Sequence, residues 1–289
     1  MRKVIYIGLV IALCWFAADC ARAAELHLPQ NAVAGQPLSI GTGGSGTLYL
    51  VGPGQVIKKE FKSGGNVEIK GEELRSAGRW IAVVRGDSNT SQVFWVKPGK
   101  PGKLNFLARP SRVPVARPNV ISGVTFVFDQ YQNLILDPTP VNFNLSVGGA
   151  AGSTKTVTSR AGVAWISSPS APKAGAAQFV ATVGDTSVTR VVQQVAADPC
   201  ERSFHMHVAG HADNRTIVET DPIRDCSGNP VPDGTIVTFI QTDKTGKSTV
   251  DARIKKGTAR AELPASDNAT ITVAAGVVLG NELHVGGKQ

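Results

Sequence analysis

FHMHVAGH at residues 204–211 places His205, His207 and His211 within seven positions. On a strand His205 and His207 share a face, and an H-x-H pair of that kind can hold zinc or copper through its ring nitrogens. The same alternation, with Phe204, Met206 and Val208 on the opposite face, is what a half-buried strand needs without any metal. A solvent-facing polar stripe is the simpler account, and no cofactor is expected. IGTGGSGT (40–47) contains G-x-G-x-x-G at Gly41, Gly43 and Gly46, but a dinucleotide site needs a helix to start there, and TLYLV follows. TGKST (245–249) has Gln241 where a phosphate loop would have its first glycine, so it reads as a turn. No Gly-x-Ser-x-Gly elbow and no catalytic pairing of acids stands out. Asp225 and Asp233 sit in turn-like surroundings, where stabilising the turn is the expected use. No catalytic residue is assigned.

The cysteines depend on where the mature chain begins. Residues 1–23 carry Arg2 and Lys3, a mostly apolar run from Val4 to Ala18, and Ala21-Arg22-Ala23 as a small-x-small cleavage signal. This is the pattern of a secretory signal peptide. The run is short for a membrane span of about 20 residues. Cys14 and Cys20 leave with it, and Cys200 and Cys226 remain as an even pair in an exported protein, which predicts a disulfide. Closing a loop of that length restricts the unfolded chain by roughly 3–4 kcal/mol.

Charge excludes another class. Residues 24–103 carry 10 basic and 6 acidic side chains, residues 104–197 carry 7 and 3, and residues 198–289 carry 10 and 12. The basic residues are scattered among Pro and Gly with few aromatics, so no nucleic-acid footprint forms.

The elements that must position these groups are strands. TLYLV (47–51), VEIK (67–70), WIAVV (80–84), VFWV (93–96), VTFVF (124–128), VNFNLSV (141–147), QFVATV (178–183), IVTFI (236–240) and TITVAA (270–275) are β-branched or aromatic, and Gly, Pro, Asn and Asp bound them. GEELRSAG (71–78) is long enough for only one or two helical turns. The expected class is all-β, built of antiparallel sandwiches.

A repeat refines this. Asp129, Asn133, Asp137, Thr139, Val141 and Phe143 stand 96 residues before Asp225, Asn229, Asp233, Thr235, Val237 and Phe239. RAGVA (160–164) answers KKGTA (255–259), and FVATVG (179–184) answers ITVAAG (271–276). Two copies of one domain follow each other.

RDCSGNPVPDGTIVTF (224–239), then KKGTARAELPA and TITVAAG, resembles the bacterial immunoglobulin-like domains of the invasin and intimin type. The first copy departs from that pattern at Gln132, where Gly is usual, and at Leu134, which replaces a Pro. The resemblance implies tandem Ig-like antiparallel β-sandwiches and a role in cell-surface architecture or adhesion. FKSGGNVEIKGEELRSAGRWIAVV (61–84) looks like half of another such sandwich, giving three in a row. The expected domains are 1–23 (signal peptide), 24–103, 104–199 and 200–289. KPGKPGK (97–103) is read as a linker, and LARPSRVPVARPN (107–119) as a proline-broken first strand. The expected function is an exported, non-enzymatic module protein at the cell surface or in the periplasm, acting as adhesion, spacer or assembly component. Its partner would be a protein or glycan at the cell surface, without nucleic acid and without an integral membrane segment after signal cleavage. A carbohydrate-binding or accessory module is the alternative. It would need exposed aromatics, whereas Trp80, Trp95 and Trp165 lie in strand patterns and are read as core.

Overall fold

β-branched runs that alternate inward and outward leave little choice but paired sheets. The computed structural model describes residues 26–62, 65–86, 89–150 and 152–286, so the signal peptide expected at 1–23 lies outside the described residues. Strands β1 (Leu26–His27), β2 (Ala32–Val33), β3 (Leu38–Thr42), β4 (Gly46–Gly52), β5 (Gln55–Phe61), β6 (Gly65–Ile69), β7 (Gly78–Gly86) and β8 (Thr90–Lys97) build the first sandwich. Its sheets run β1-β3-β6 and β2-β8-β7-β4-β5. Ile40 and Val67 from one sheet meet Leu48 and Trp80 from the other in a shared core. GEELRSAG contributes one 3-10 turn, Gly71–Glu73.

The second sandwich comprises β9 (Pro101–Arg109), β10 (Arg112–Pro114), β11 (Ile121–Asp129), β12 (Pro140–Val147), β13 (Ser153–Thr158), β14 (Val163–Ser168), β15 (Gly175–Val183) and β16 (Thr186–Val195). Its sheets run β14-β11-β9 and β10-β16-β15-β12-β13. Phe106, Phe143 and Phe179 fill the space between them, with ring centroids 5.1 to 6.0 Å apart. The first strand does break as the prolines predicted. The chain leaves β9 at Arg109, passes Pro110, and joins the other sheet as β10, parallel to β16.

The third sandwich has β17 (Met206–Ala212), β18 (Arg215–Thr220), β19 (Ile236–Asp243), β20 (Gly246–Arg253), β21 (Arg260–Pro264), β22 (Ala269–Ala275) and β23 (Val278–Val285). Its sheets run β17-β18-β21 and β20-β19-β22-β23. Asp213 and Asn214 both take positive φ, 47° and 62°, as a two-residue hairpin turn between β17 and β18 requires.

The strands common to all three follow one order, and the third sandwich lacks a counterpart of the edge strands β2 and β10. β3, β4, β7 and β8 occupy the places of β11, β12, β15 and β16, and β18, β19, β22 and β23 repeat them. The first sandwich, whose sequence shows little of the repeat, therefore shares its topology. The stretch read as a linker at 97–103 shortens to residues 98–100, because β8 and β9 extend into it from either side. The chain divides into two compact units, Met1–Lys103 with Val127–Asp137, and Leu104–Phe126 with Pro138–Gln289.

Candidate functional site

The histidines do not converge. His205 precedes β17, and its Nε2 lies 3.0 Å from the carbonyl oxygen of Arg202. His207 faces Asp221, Nδ1 to Oδ1 3.3 Å, on the surface. His211 sits beyond a bulge between Val208 and Gly210, and its Nδ1 is 3.4 Å from Thr216 Oγ1. Val208 keeps the phase that alternation gives it, opposite the buried Val218, but on an edge strand it is left 37% exposed. Among the described residues no group of three or more His, Cys, Asp or Glu gathers as metal ligands would. IGTGGSGT covers the end of β3, the turn and the start of β4, and TGKST, read as a turn, has only Thr245 in the turn and its other four residues in β20.

The turn RDCSGNPVPDG is a more organised place. Cys200 and Cys226 form a disulfide. Asp225 is buried and accepts through Oδ1 from the backbone N–H of Ser227 and of Asn229, each at 2.9 Å. Its Oδ2 accepts from Ala197 N–H at 3.0 Å and from Asn229 Nδ2 at 2.9 Å. Asn229 Nδ2 also donates to Pro172 O at 2.7 Å, and its Oδ1 accepts from Ala174 N–H at 2.8 Å. Burial opposes ionisation of Asp225, but its hydrogen bonds from Asn229, Ala197 and Ser227 outweigh that. They hold the carboxyl below the usual carboxylate range. The pair is thus a turn on its own side and a clasp on segments of the second sandwich.

The earlier copy repeats the clasp bond for bond. Asp129 Oδ1 accepts from Tyr131 and Asn133 N–H, each at 2.9 Å. Its Oδ2 accepts from Gly99 N–H at 2.9 Å and from Asn133 Nδ2 at 2.7 Å. Asn133 Nδ2 donates to Arg75 O at 2.7 Å, and Ala77 N–H donates to Asn133 Oδ1 at 2.9 Å. Each clasp lies wholly inside one compact unit. Only a carboxylate followed four residues later by a carboxamide provides this set, since the acid must accept four times and the amide must both give and receive. Gly228 and Gln132 hold equivalent corners at φ +85° and +70°. Gln132 takes there a left-handed conformation that glycine adopts without cost. Asp233 accepts from the N–H of Lys256 and Gly257, 23 and 24 residues further on, and so supports a neighbouring turn.

No protein-family model and no curated protein sequence matches the chain. Among solved structures it is similar to the Escherichia coli adhesin FdeC, with a TM-score of 0.61 at 13% identity over 92% of this chain and 96% of that one. It is also similar to InvD of Yersinia pseudotuberculosis, with a TM-score of 0.51 at 13% identity, covering 91% and 95%. The fold is immunoglobulin-like.

Within this Ig-like frame the tryptophans separate, and two expectations need correcting. Trp80 is fully buried in the first core, as read. Trp95 and Trp165 are not core: they are 65% and 59% exposed. In β8 the inward residues are Phe94 and Val96, and in β14 they are Ala164 and Ile166, which leaves each tryptophan on the outer side of its strand. Both faces of VFWV are apolar, so its phase could not be read from hydrophobicity.

Proposed function

We propose that the chain is an exported, non-enzymatic protein of tandem Ig-like modules. It acts at the cell surface or in the periplasm as an adhesion, spacer or assembly component. The modules we assign are residues 24–103, 104–199 and 200–289, behind a signal peptide at 1–23. The observation that carries this reading is the repeated Asp–Asn clasp. A module that spends its most organised polar group on binding backbone of a neighbouring segment serves architecture rather than chemistry on a substrate. Likeness to an adhesin's fold supports the same reading. Among the described residues no helix is long and apolar enough to cross a membrane. The test is fractionation with protease treatment of intact cells. Cleavage of the chain in intact cells, or its release with the periplasmic fraction, is expected; recovery in the cytoplasm with the first 23 residues intact would refute the proposal.

A carbohydrate-binding module is the second reading, and the exposed rings of Trp95 and Trp165 are what favour it. Polysaccharide pull-down with Trp95→Ala and Trp165→Ala decides it. Retention of the native chain that either substitution abolishes would promote this reading over the first.

A further inference from the structure

The large sheets of the three sandwiches share four strands in the same order, so their outer faces can be compared strand by strand. In the second sandwich that face shows Asn142, Asn144, Gln178, Thr182 and Thr189, with Val180 opposite Asn144 and Thr189 and the exposed Val191 opposite Gln178. In the third it shows Thr238, Thr242, Thr270 and Thr272, with Ile236 opposite Arg253, Ile240 between Thr249 and Thr272, and Asp251 hydrogen-bonded by Thr238 at 2.6 Å. On neither face do the apolar side chains line up into a row across the sheet, because each is paired with a polar residue. The first sandwich breaks the pattern. Val93, Ile81, Val51 and Val56 lie opposite one another on β8, β7, β4 and β5 and form an apolar row across four strands. Val93, Val51 and Val56 are exposed, and Ile81 is half-buried. Trp95 stands next to this row and pairs across strands with Arg79.

Charge surrounds the row with one sign. Arg79 and Lys97 lie to one side of it, and Arg85 and Lys58 to the other, all exposed. One acid, Glu60, shares the face, and it is ion-paired to Lys58 at 3.2 Å. A contiguous apolar strip with a charged rim is the make-up of a protein-docking surface, and Trp and Arg are the residues that concentrate binding energy in such places. A polysaccharide would need its hydroxyls bonded across the contact, and the valine row at the centre of the face offers no such group.

We propose that the outer face of the sheet β2-β8-β7-β4-β5 docks a protein partner whose contact surface is apolar at the centre and acidic at the rim. This rests on the reading of the chain as a binding or assembly module, and adds the face and the partner's chemistry. Shielded from water, the valine row and Trp95 supply the affinity, while Arg79 and Arg85 select acidic partners and speed encounter.

The test is a library of random 16-residue peptides displayed on phage and panned against the immobilised full chain. An enriched peptide is then synthesised and titrated by fluorescence anisotropy. Enrichment of peptides that combine Asp or Glu with aliphatic or aromatic residues is expected. Trp95→Ala should weaken them by about tenfold or more, as at a binding hot spot. Arg79→Glu should weaken them and flatten the salt dependence. Trp165→Ala should leave affinity within about twofold, because residues outside the contact contribute little. Unchanged thermal melts of the variants certify the fold, since all three side chains point outward. Peptides that are neutral or basic, or that bind Trp95→Ala undiminished, overturn this face while leaving the module reading intact. A glycan-array signal, or a self-association in sedimentation, that depends on Trp95 overturns the proposed occupant. Failure of the module reading would show separately, as cytoplasmic retention in the fractionation experiment.

Discussion

The two clasps solve one problem with different parts. At each, the chain entering a sandwich must run close against the turn that carries the Asp–Asn pair. Gly99 and Ala197 donate to the acid in the same way. Three residues further on, the copies diverge. Cys200 is bonded to Cys226, the neighbour of Asp225. In the earlier copy the equivalent positions are Gly102 and Gln130, where a Cβ built on Gly102 would lie 3.1 Å from Gln130 N. Close approach is obtained there by omitting a side chain, and in the later copy by a covalent bond. Tyr131, in the place of Ser227, also packs on the first core and gives the earlier turn an apolar hold that the later one lacks. The hydrogen-bond set is therefore the shared requirement, and the disulfide and the tyrosine are alternative reinforcements.

Removing the shared part should do most damage. Asp225→Ala strands three backbone N–H groups and the Asn229 amide, and should cost about 3–5 kcal/mol, because bonds to a charged group are each worth about 1.5–3 kcal/mol and buried donors lose water as well. Asp129→Ala should cost a similar amount, and urea denaturation of the two variants checks this. If either is near neutral, the clasp is incidental to stability.

Reduction comes next. It should lower the stability of the third sandwich by roughly 3 kcal/mol through loop entropy and leave the first unchanged. Hydrogen exchange with and without reductant separates the two. A converse experiment transplants the staple. The Cβ built on Gly102 is 3.5 Å from that of Gln130, within the range a disulfide spans. Gly102→Cys with Gln130→Cys should oxidise spontaneously and raise stability by about 2–3 kcal/mol, read from melts with and without reductant.

The smallest effect is that of pH. Asp225 has its pKa depressed in the folded state, so the unfolded chain binds a proton first as pH falls. Its contribution is complete above the unfolded carboxylate value, about pH 4, and is lost as pH drops through the lower folded value. Stability measured between about pH 2 and 6 should decline over the acid end, and Asp225→Asn should reduce that slope. An identical slope in the variant would assign the acid sensitivity elsewhere.

Strand positions, the third sandwich and the disulfide could be read from residue types alone, because alternation and turn residues act locally. The Asp–Asn pair was legible only by half. Its bonds to its own turn follow from spacing, but Asn133 meets Ala77 across 56 residues and Asn229 meets Ala174 across 55, which no local pattern reveals. The outward Trp95 was hidden for another reason. VFWV offers apolar residues to both faces, and only the packing of Phe94 and Val96 into the core fixes the phase. The candidate docking face escaped notice with it, since a strip of valines on a solvent side looks in sequence like a second core.

The Cys200–Cys226 bond has a mechanical consequence. A sequence separation of 26 places β17 and β18 inside the covalent loop. Tension applied to the two ends of the chain would pass from sulfur to sulfur and bypass both strands. Roughly 90 Å of contour length, at about 3.5 Å per residue, would stay unavailable for extension until the bond is reduced.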